Sequence, residues 1–287
     1  MAPFPLAQVM PMPGNQASFQ TAGREILRYH FGPELLRPYW FPLVGPFGFS
    51  LTRIGHPHDP VGHAHHRSIW IGHQFCNGVD FWTEKESSGR IIHDCIVQYD
   101  DGDSAKMTTR NYWVATGGTH GVRLAEDIRE VQAMPLRNGE AVADFRLIFR
   151  PVEKEVAFGK TSFGFLALRV AKTMGVHDGG GEMTNSEGGK NEEGVFWKPA
   201  RWMDYSGPIA GGVWNGIAFL DHPSNHDHPA TWHVRDDGWM GAAPCFKGDI
   251  VLKGNEQLVL RYRLWAHEGA ADLDKINEHW QRFAETK

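Results

Sequence analysis

Short runs in which apolar and polar residues alternate recur along the chain and predict β-strands. The clearest run spans residues 141–149, where apolar side chains take every second position and Asp144 and Arg146 fall between them. Such a strand has one buried and one solvated face. Other predicted strands span residues 47–52, 68–75, 91–99, 108–116, 165–171, 213–220 and 258–265.

One helix is predicted, over residues 271–285. Leu273, Ile276, Trp280 and Phe283 recur there at steps of three and four, which places them on one helical face. Glu278 can pair with Arg282 one turn later. About ten strands and one helix favour an all-β fold, an antiparallel β-sandwich with a C-terminal helix.

No composition shift or linker divides the chain, so residues 1–287 are predicted to form a single domain. Residues 1–20 are expected to form a loosely ordered N-terminal segment. Residues 177–198 are rich in Gly, Glu, Asn and Ser, which predicts a long polar loop that is functional or mobile.

Charge and composition exclude several classes of protein. The net charge is −5 and the 29 Lys and Arg residues are scattered, which argues against a nucleic-acid partner. No apolar run of 18 residues and no leader pattern are present, so neither a membrane span nor export is predicted, and a cytoplasmic location is expected. Three cysteines without CxxC spacing indicate neither a disulfide framework nor a zinc ribbon.

Histidines are numerous and clustered. Six of the 16 lie between residues 56 and 73, and four lie between residues 222 and 233. Histidine titrates nearest neutrality and its neutral form binds metals, so the clusters favour acid–base chemistry, metal binding or both. Isolated surface histidines are the alternative interpretation of either cluster.

The first cluster runs into a predicted strand. We assign His66 as an acid–base group and Arg67 as an anchor for a substrate oxygen or carboxylate. His73 is predicted to project from a sheet face into the site, although a core histidine is the alternative. Asn-Gly at residues 77–78 predicts a tight turn that aims Asp80 and Trp82 at a sugar ring, unless Trp82 is simply core.

Two later segments complete the predicted site. Glu187 and Asp221 are candidate carboxylate partners, and His222 is the second predicted acid–base group. Further polar residues lie beside tryptophans or prolines and are predicted to bind substrate, with an exposed salt-bridge cluster as the alternative for the first three: Lys198, Arg201, Asp204, His233 and Arg235.

A metal site is the alternative use of these histidines. If residues 63–65 are extended, His63 and His65 point to the same side, and His73 or His233 can complete three ligands. The spacing is permissive rather than specific. HExxH, P-loop and GxSxG motifs are absent from the sequence, so zincin, phosphate-loop and α/β-hydrolase chemistry are not predicted.

Several blocks resemble a known bacterial family labelled PmoA or "methane oxygenase PmoA". They lie between about Arg37 and Trp265 and read HHRSIWIGHQFCNGVDFW, GKTSFGFLALRVA, TNSEG, KPARWMDYSGP and DHPSNHDHPATWHVRD. The label implies a membrane copper oxygenase, which a chain without a membrane-spanning run does not fit. The resemblance implies a galactose-mutarotase-like supersandwich, in which histidines, carboxylates and an arginine or asparagine line a concave sheet.

The sequence therefore predicts an enzyme that moves a proton on a small carbohydrate, as an epimerase, lyase, hydratase or hydrolase, and that requires no cofactor. One alternative is a hydrolase or oxygenase with a divalent transition metal on histidines. The other is a carbohydrate-binding protein without catalysis. The oligomeric state, the linkage and the identity of the sugar are left open.

Overall fold

A computed structural model describes residues 5–55, 63–116 and 121–286. His56 and His58 of the first histidine cluster lie outside the described residues. Eighteen strands are found in the described part: β1 Ala7–Met12, β2 Gln16–Thr21, β3 Arg24–His30, β4 Tyr39–Leu43, β5 Ile69–Ile71, β6 Arg90–Asp100, β7 Ala105–Ala115, β8 Val122–Pro135, β9 Ala141–Pro151, β10 Glu155–Phe158, β11 Leu166–Arg169, β12 Glu182–Asn185, β13 Trp202–Pro208, β14 Trp214–Asp221, β15 Trp232–Val234, β16 Trp239–Ala242, β17 Ile250–Lys253 and β18 Leu258–Glu268. The helices are α1 Val176–Gly179, α2 Asn191–Val195 and α3 Leu273–Ala284.

The strands form two eight-stranded antiparallel sheets and a small two-stranded one. The first sheet has the order β1-β2-β3-β4-β5-β11-β16-β15, and the second has the order β12-β13-β14-β18-β9-β8-β7-β6. Strands β10 and β17 pair separately. The predicted all-β antiparallel sandwich with a C-terminal helix is therefore confirmed.

The main core fills the space between the two large sheets. On β9, Ala143, Phe145, Leu147 and Phe149 are buried there, as the alternation predicts. Phe145 meets Trp40 of β4 edge to face, with 5.1 Å between ring centroids. This contact joins the two sheets through aromatic packing.

Helix α3 covers the outer face of the second sheet. Its buried residues Ile276 and Phe283 pack in a cluster with Val142 and Trp265, which point outward from β9 and β18. Asp272 caps the helix by accepting a hydrogen bond from the Lys275 amide at 3.2 Å. The predicted Glu278–Arg282 pair is present, with 3.3 Å between the charged atoms.

Three sequence expectations need correction. Residues 7–12 and 16–21, expected to be loose, form β1 and β2 because Ala7, Val9 and Phe19 are buried in the main core. The polar stretch 177–198 contains parts or all of α1, β12 and α2, since Met183 is buried and β12 pairs with β13. Residues 47–52 form only isolated bridges rather than a strand.

None of the helices in the described part of the chain combines the length and the apolar character that crossing a membrane requires.

Truncating Phe283 to alanine is expected to lower the free energy of unfolding by about 3 kcal/mol, because the ring is only 2% exposed against the second sheet. Leu273→Ala is the matched control on the same helix, since Leu273 is 38% exposed, and it is expected to cost less than about 1 kcal/mol. Urea unfolding of both variants measures the difference. Equal losses would contradict the described packing of α3.

Candidate functional site

The candidate site lies on the face of the first sheet that points away from the second sheet. Successive residues of a strand point to opposite faces. On β5, β16 and β15 the outward residues include Trp70, Trp239 and His233. Ile69 and Met240, next to two of these in sequence, belong to the core between the sheets. This part of the first sheet is therefore buried on both faces, with aromatic rings on the outer one.

A cleft of about 310 Å³ opens on this outer face. The sequence predicts six of its lining residues as site residues: His63, His65, His66, Trp82, His233 and Arg235. It does not predict the other four, Gln74, Thr83, Phe163 and Trp239. The volume lies at the small end of the range for ligand pockets, roughly 300–1,000 Å³, so the cleft suits a single small ring.

His66 lies in the aromatic wall of the cleft. Its ring stacks on Trp70, with 4.8 Å between centroids and 13° between planes, and lies 4.8 Å from the Trp239 ring. Burial, reinforced by the nearby His65, His63 and Arg169 charges, holds the pKa of His66 well below its usual range. Both ring nitrogens are buried and have no hydrogen-bond partner among the described residues. Because these nitrogens are also covered from solvent, His66 is a neutral ring of the aromatic wall rather than an exposed hydrogen-bonding group.

His63 and Asp237 form the polar side of the cleft, and Asp237 is not among the site residues predicted from the sequence. His63 Nδ1 is in very short contact with Asp237 Oδ2, and the Asp237 side chain is only 4% exposed. Arg169 donates hydrogen bonds to the His63 carbonyl at 2.9 Å and to Asp237 Oδ2 at 3.4 Å. A carboxylate on Nδ1 fixes the tautomer of the ring and leaves Nε2 for a ligand. This Asp–His pair is the best-oriented acid–base group of the cleft.

Two further histidines of the cleft are held neutral. Burial lowers the pKa of His233 to about 4 and that of His65 to about 4, in the latter case with help from the Arg37 charge. His233 Nδ1–H donates to the Ser162 carbonyl at 3.2 Å, so its Nε2 carries the lone pair. The His233 ring also lies 4.5 Å from Trp239. The cleft therefore holds several imidazoles that are uncharged near neutral pH.

The loop at residues 80–84 follows the predicted Asn-Gly turn. Its polar side chains are hydrogen-bonded or paired within the protein. Asp80 accepts hydrogen bonds from the Trp82 and Thr83 amides at 2.7 and 3.0 Å. Arg67 is paired with Glu84 at 2.9 Å. Asp80 and Arg67 thus shape the loop that carries Trp82, and neither lines the cleft, so their predicted role as substrate ligands stays a prediction.

The predicted site residue His73 lies in the main core. It is fully buried, its ring stacks on Phe165 at 4.8 Å, and Nε2 contacts the Gly159 carbonyl at 3.0 Å. Alternation along the chain after β5 points it inward with Ile71. The alternative interpretation, a core histidine, describes it correctly.

Asp221 and His222 belong to a separate cluster beside the C-terminal helix. Asp221 contacts His228 Nδ1 at 2.7 Å and accepts from the Ala230 amide at 2.8 Å. His222 Nε2 contacts the Thr286 carbonyl at 3.3 Å. These bonds organise the loop after β14, so the structure does not bring the predicted second acid–base pair to the cleft.

Glu187, Arg201 and Lys198 also lie away from the cleft lining. The Glu187 side chain is 62% exposed and 3.9 Å from Arg201, whose guanidinium lies 4.9 Å from the Trp280 ring. The Lys198 ammonium donates to the Glu193 carbonyl at 3.1 Å. The alternative interpretation of this segment, an exposed salt-bridge cluster, fits these contacts.

Asp204, predicted to bind substrate, is buried in the second sheet. It contacts His267 Nε2 at 2.7 Å and receives a short hydrogen bond from Ser206. Burial opposes a charge on His267, but the charge and hydrogen bond of Asp204 outweigh it and raise the pKa of His267. Asp204 is therefore engaged by His267 and Ser206 inside the second sheet, away from the cleft lining.

The predicted metal ligands do not complete a site within residues 5–55, 63–116 and 121–286, where no three His, Cys, Asp or Glu side chains are grouped to hold a metal ion. Residues 63–66 form a turn, closed by a 3.0 Å hydrogen bond from the His66 amide to the His63 carbonyl, rather than an extended segment. The His63 and His65 ring centroids are 6.1 Å apart. A transition-metal site remains a prediction.

One protein-family model matches almost the whole chain. The model of DUF6807, a family of unknown function, matches residues 16–281. Among curated proteins, no significant match is found. Solved structures include a similar chain, "Putative kojibiose phosphorylase from human microbiome", at 8% identity and a TM-score of 0.38. The similarity covers 96% of this chain and 32% of that one, so the chain spans about a third of its length.

The Asp204–His267 pair predicts a pH dependence of stability. Because the folded protein binds the His267 proton more tightly than the unfolded chain, this stabilisation is complete below about pH 6.5 and is lost as the pH rises through the raised pKa. The unfolding free energy of the wild type minus that of His267→Gln should be larger at pH 6 than at pH 8.5. His177→Gln, at an exposed position, is the control, and a pH-independent difference for His267→Gln would contradict the ion pair.

Proposed function

Because the chain belongs to DUF6807, a family of unknown function, we propose its function from the cleft itself: a carbohydrate-active enzyme that transfers a proton on a sugar ring. The observation that carries the proposal is the His63–Asp237 pair on the polar side of the cleft. The Asp237 carboxylate holds His63 Nδ1 and leaves Nε2 for a ligand, and aromatic rings line the same cleft. A sugar offers hydroxyls to the imidazole and apolar C–H faces to the rings.

The walls of the cleft support a ring-shaped ligand. Trp82, Trp239 and Phe163 pack against one another, with 5.2 to 6.2 Å between their ring centroids, and form one continuous aromatic wall of the cleft. Aromatic faces pack against the apolar C–H faces of a sugar, and a few polar groups fix its orientation. Gln74, Thr83 and Arg235 provide such groups around the same cleft.

His63 is the proposed acid–base group, because Asp237 orients it and compensates a positive charge on its ring. His233 is the proposed binding partner beside it, since its neutral ring keeps an Nε2 lone pair that accepts a hydrogen bond. In the proposed step, His63 Nε2 takes a proton from a carbon next to a carbonyl, and Asp237 stabilises the imidazolium that forms. The same Nε2–H then returns a proton to the neighbouring carbon or to a leaving oxygen, so the proton count balances, while His233 Nε2 accepts a hydrogen bond from a substrate hydroxyl. Such acid–base catalysis contributes about 10²–10⁴-fold in rate.

Deuterium incorporation from D₂O tests this proposal before the natural substrate is known. Wild-type protein is incubated with a panel of sugars and keto-sugars, and exchange of C–H for C–D is followed by proton NMR and mass spectrometry. Exchange is expected for at least one ring. His63→Gln and Asp237→Asn should each slow it about 100-fold or more, because one removes the proton carrier and the other its orientation.

His222→Gln is the matched control, since that histidine lies beside the C-terminal helix and should leave exchange within about twofold of wild type. Exchange that survives in His63→Gln contradicts the assigned roles. Binding without exchange in any ring supports the alternative of a carbohydrate-binding protein without catalysis.

A further inference from the structure

Trp197, near the cleft, is both exposed and held in a left-handed backbone conformation. Its side chain is 49% exposed, and its backbone has φ of 55°, in the left-handed region that bulky residues rarely adopt. The conformation is held from both sides. The Trp197 amide donates to the Trp232 carbonyl at 2.8 Å, and the Phe196 amide donates to the Glu192 carbonyl at 2.9 Å.

This backbone conformation suits glycine far better than tryptophan. Strained residues of this kind persist where the surrounding structure fixes them, and they concentrate at ligand clamps and functional sites. In this conformation about half of the Trp197 surface is exposed, and the rest packs on Phe196 and Phe246. A purely structural role would be served by a smaller residue, so the exposed ring itself needs an explanation.

The Trp197 ring lies just outside the cleft lining and contacts residues that belong to it. It stacks on Phe196 with 4.5 Å between centroids and 21° between planes. Both rings lie edge-on to His233, at 6.2 and 5.0 Å, and His233 lines the cleft. Arg235, at the same edge of the cleft, extends over Phe196 at 5.5 Å.

Polar groups border this surface as well. Arg235 forms an ion pair with Glu192 at 2.8 Å, and its side chain is 42% exposed. Glu192, Phe196 and Arg235 also line an adjoining open depression that contains Glu193 and Asp236. An exposed aromatic plane beside a charged hydrogen-bonding pair is the chemistry that holds a second sugar ring.

We propose that Phe196 and Trp197 form a second sugar-binding subsite, so that the substrate is a glycoside of two or more rings rather than a free monosaccharide. One ring occupies the cleft at His66 and the next lies on the Trp197 indole, with Arg235 and Glu192 bonded to its hydroxyls. This inference rests on the proposed function and adds the substrate class to it.

Isothermal titration of four proteins tests the subsite: wild type, Trp197→Gly, Trp197→Phe and Phe47→Ala. The probes are disaccharides of glucose, galactose and mannose, each beside its methyl glycoside. Trp197→Gly removes the ring and relieves the backbone, so it is expected to fold with an undiminished melting temperature. Trp197→Phe keeps an aromatic plane. Phe47→Ala removes a ring that is 44% exposed and does not line the cleft.

Wild type should bind at least one disaccharide roughly tenfold more tightly than the matching methyl glycoside. Trp197→Gly should lose that advantage while its affinity for the methyl glycoside stays within about twofold, and Trp197→Phe should keep most of it. Equal affinities for both probes, or an unchanged preference in Trp197→Gly, would overturn the subsite alone. Failure of wild type to bind any probe would overturn the proposed function together with it.

Discussion

Burial of the first sheet on both faces is the constraint on which the cleft depends. Strands β5, β11 and β16 bury aliphatic residues toward the second sheet. Their opposite face is also shielded from water, so other side chains must pack over it. Trp70 and Trp239 do so, and the His66 ring lies between them. Since a buried polar group without a partner costs about 1–3 kcal/mol, the aromatic packing offsets the cost of holding His66 there.

The turn before β16 places the charged part of the site. The Arg235 amide donates to the Trp239 carbonyl at 2.9 Å, and Gly238 closes the turn with φ of 105°, a value suited to glycine. One short turn thereby directs Asp237 toward His63 and Arg235 toward the open edge of the cleft. Arg169 lies fully buried behind Asp237, so the carboxylate is fixed by charge as well as by the turn.

Local sequence patterns predicted part of this structure. The remaining features depend on contacts between residues that are far apart in the sequence. The regular alternation of β9 and the three- and four-residue spacing of α3 were sufficient to predict both elements. Strand β8 escaped prediction because its inward face carries Asp127 and Arg129, a fully buried ion pair with charged atoms 2.7 Å apart, which hides the apolar period. The histidine clusters supplied four residues of the cleft lining: His63, His65, His66 and His233. The clustering could not reveal that the Asp237 carboxylate, 174 residues away, contacts His63 Nδ1, or that Asp204 is hydrogen-bonded to His267.

The most direct test of the account is the protonation state of the cleft histidines, measured by long-range ¹⁵N–¹H NMR on ¹⁵N-histidine-labelled protein between pH 4.5 and 8. Signals are assigned with His66→Gln and His63→Gln. We expect His66 to titrate well below pH 6.5, His63 to keep its proton on Nδ1 when neutral, and both signals to move when a sugar binds. A His66 signal that titrates near pH 6.5 and ignores every sugar would contradict the account.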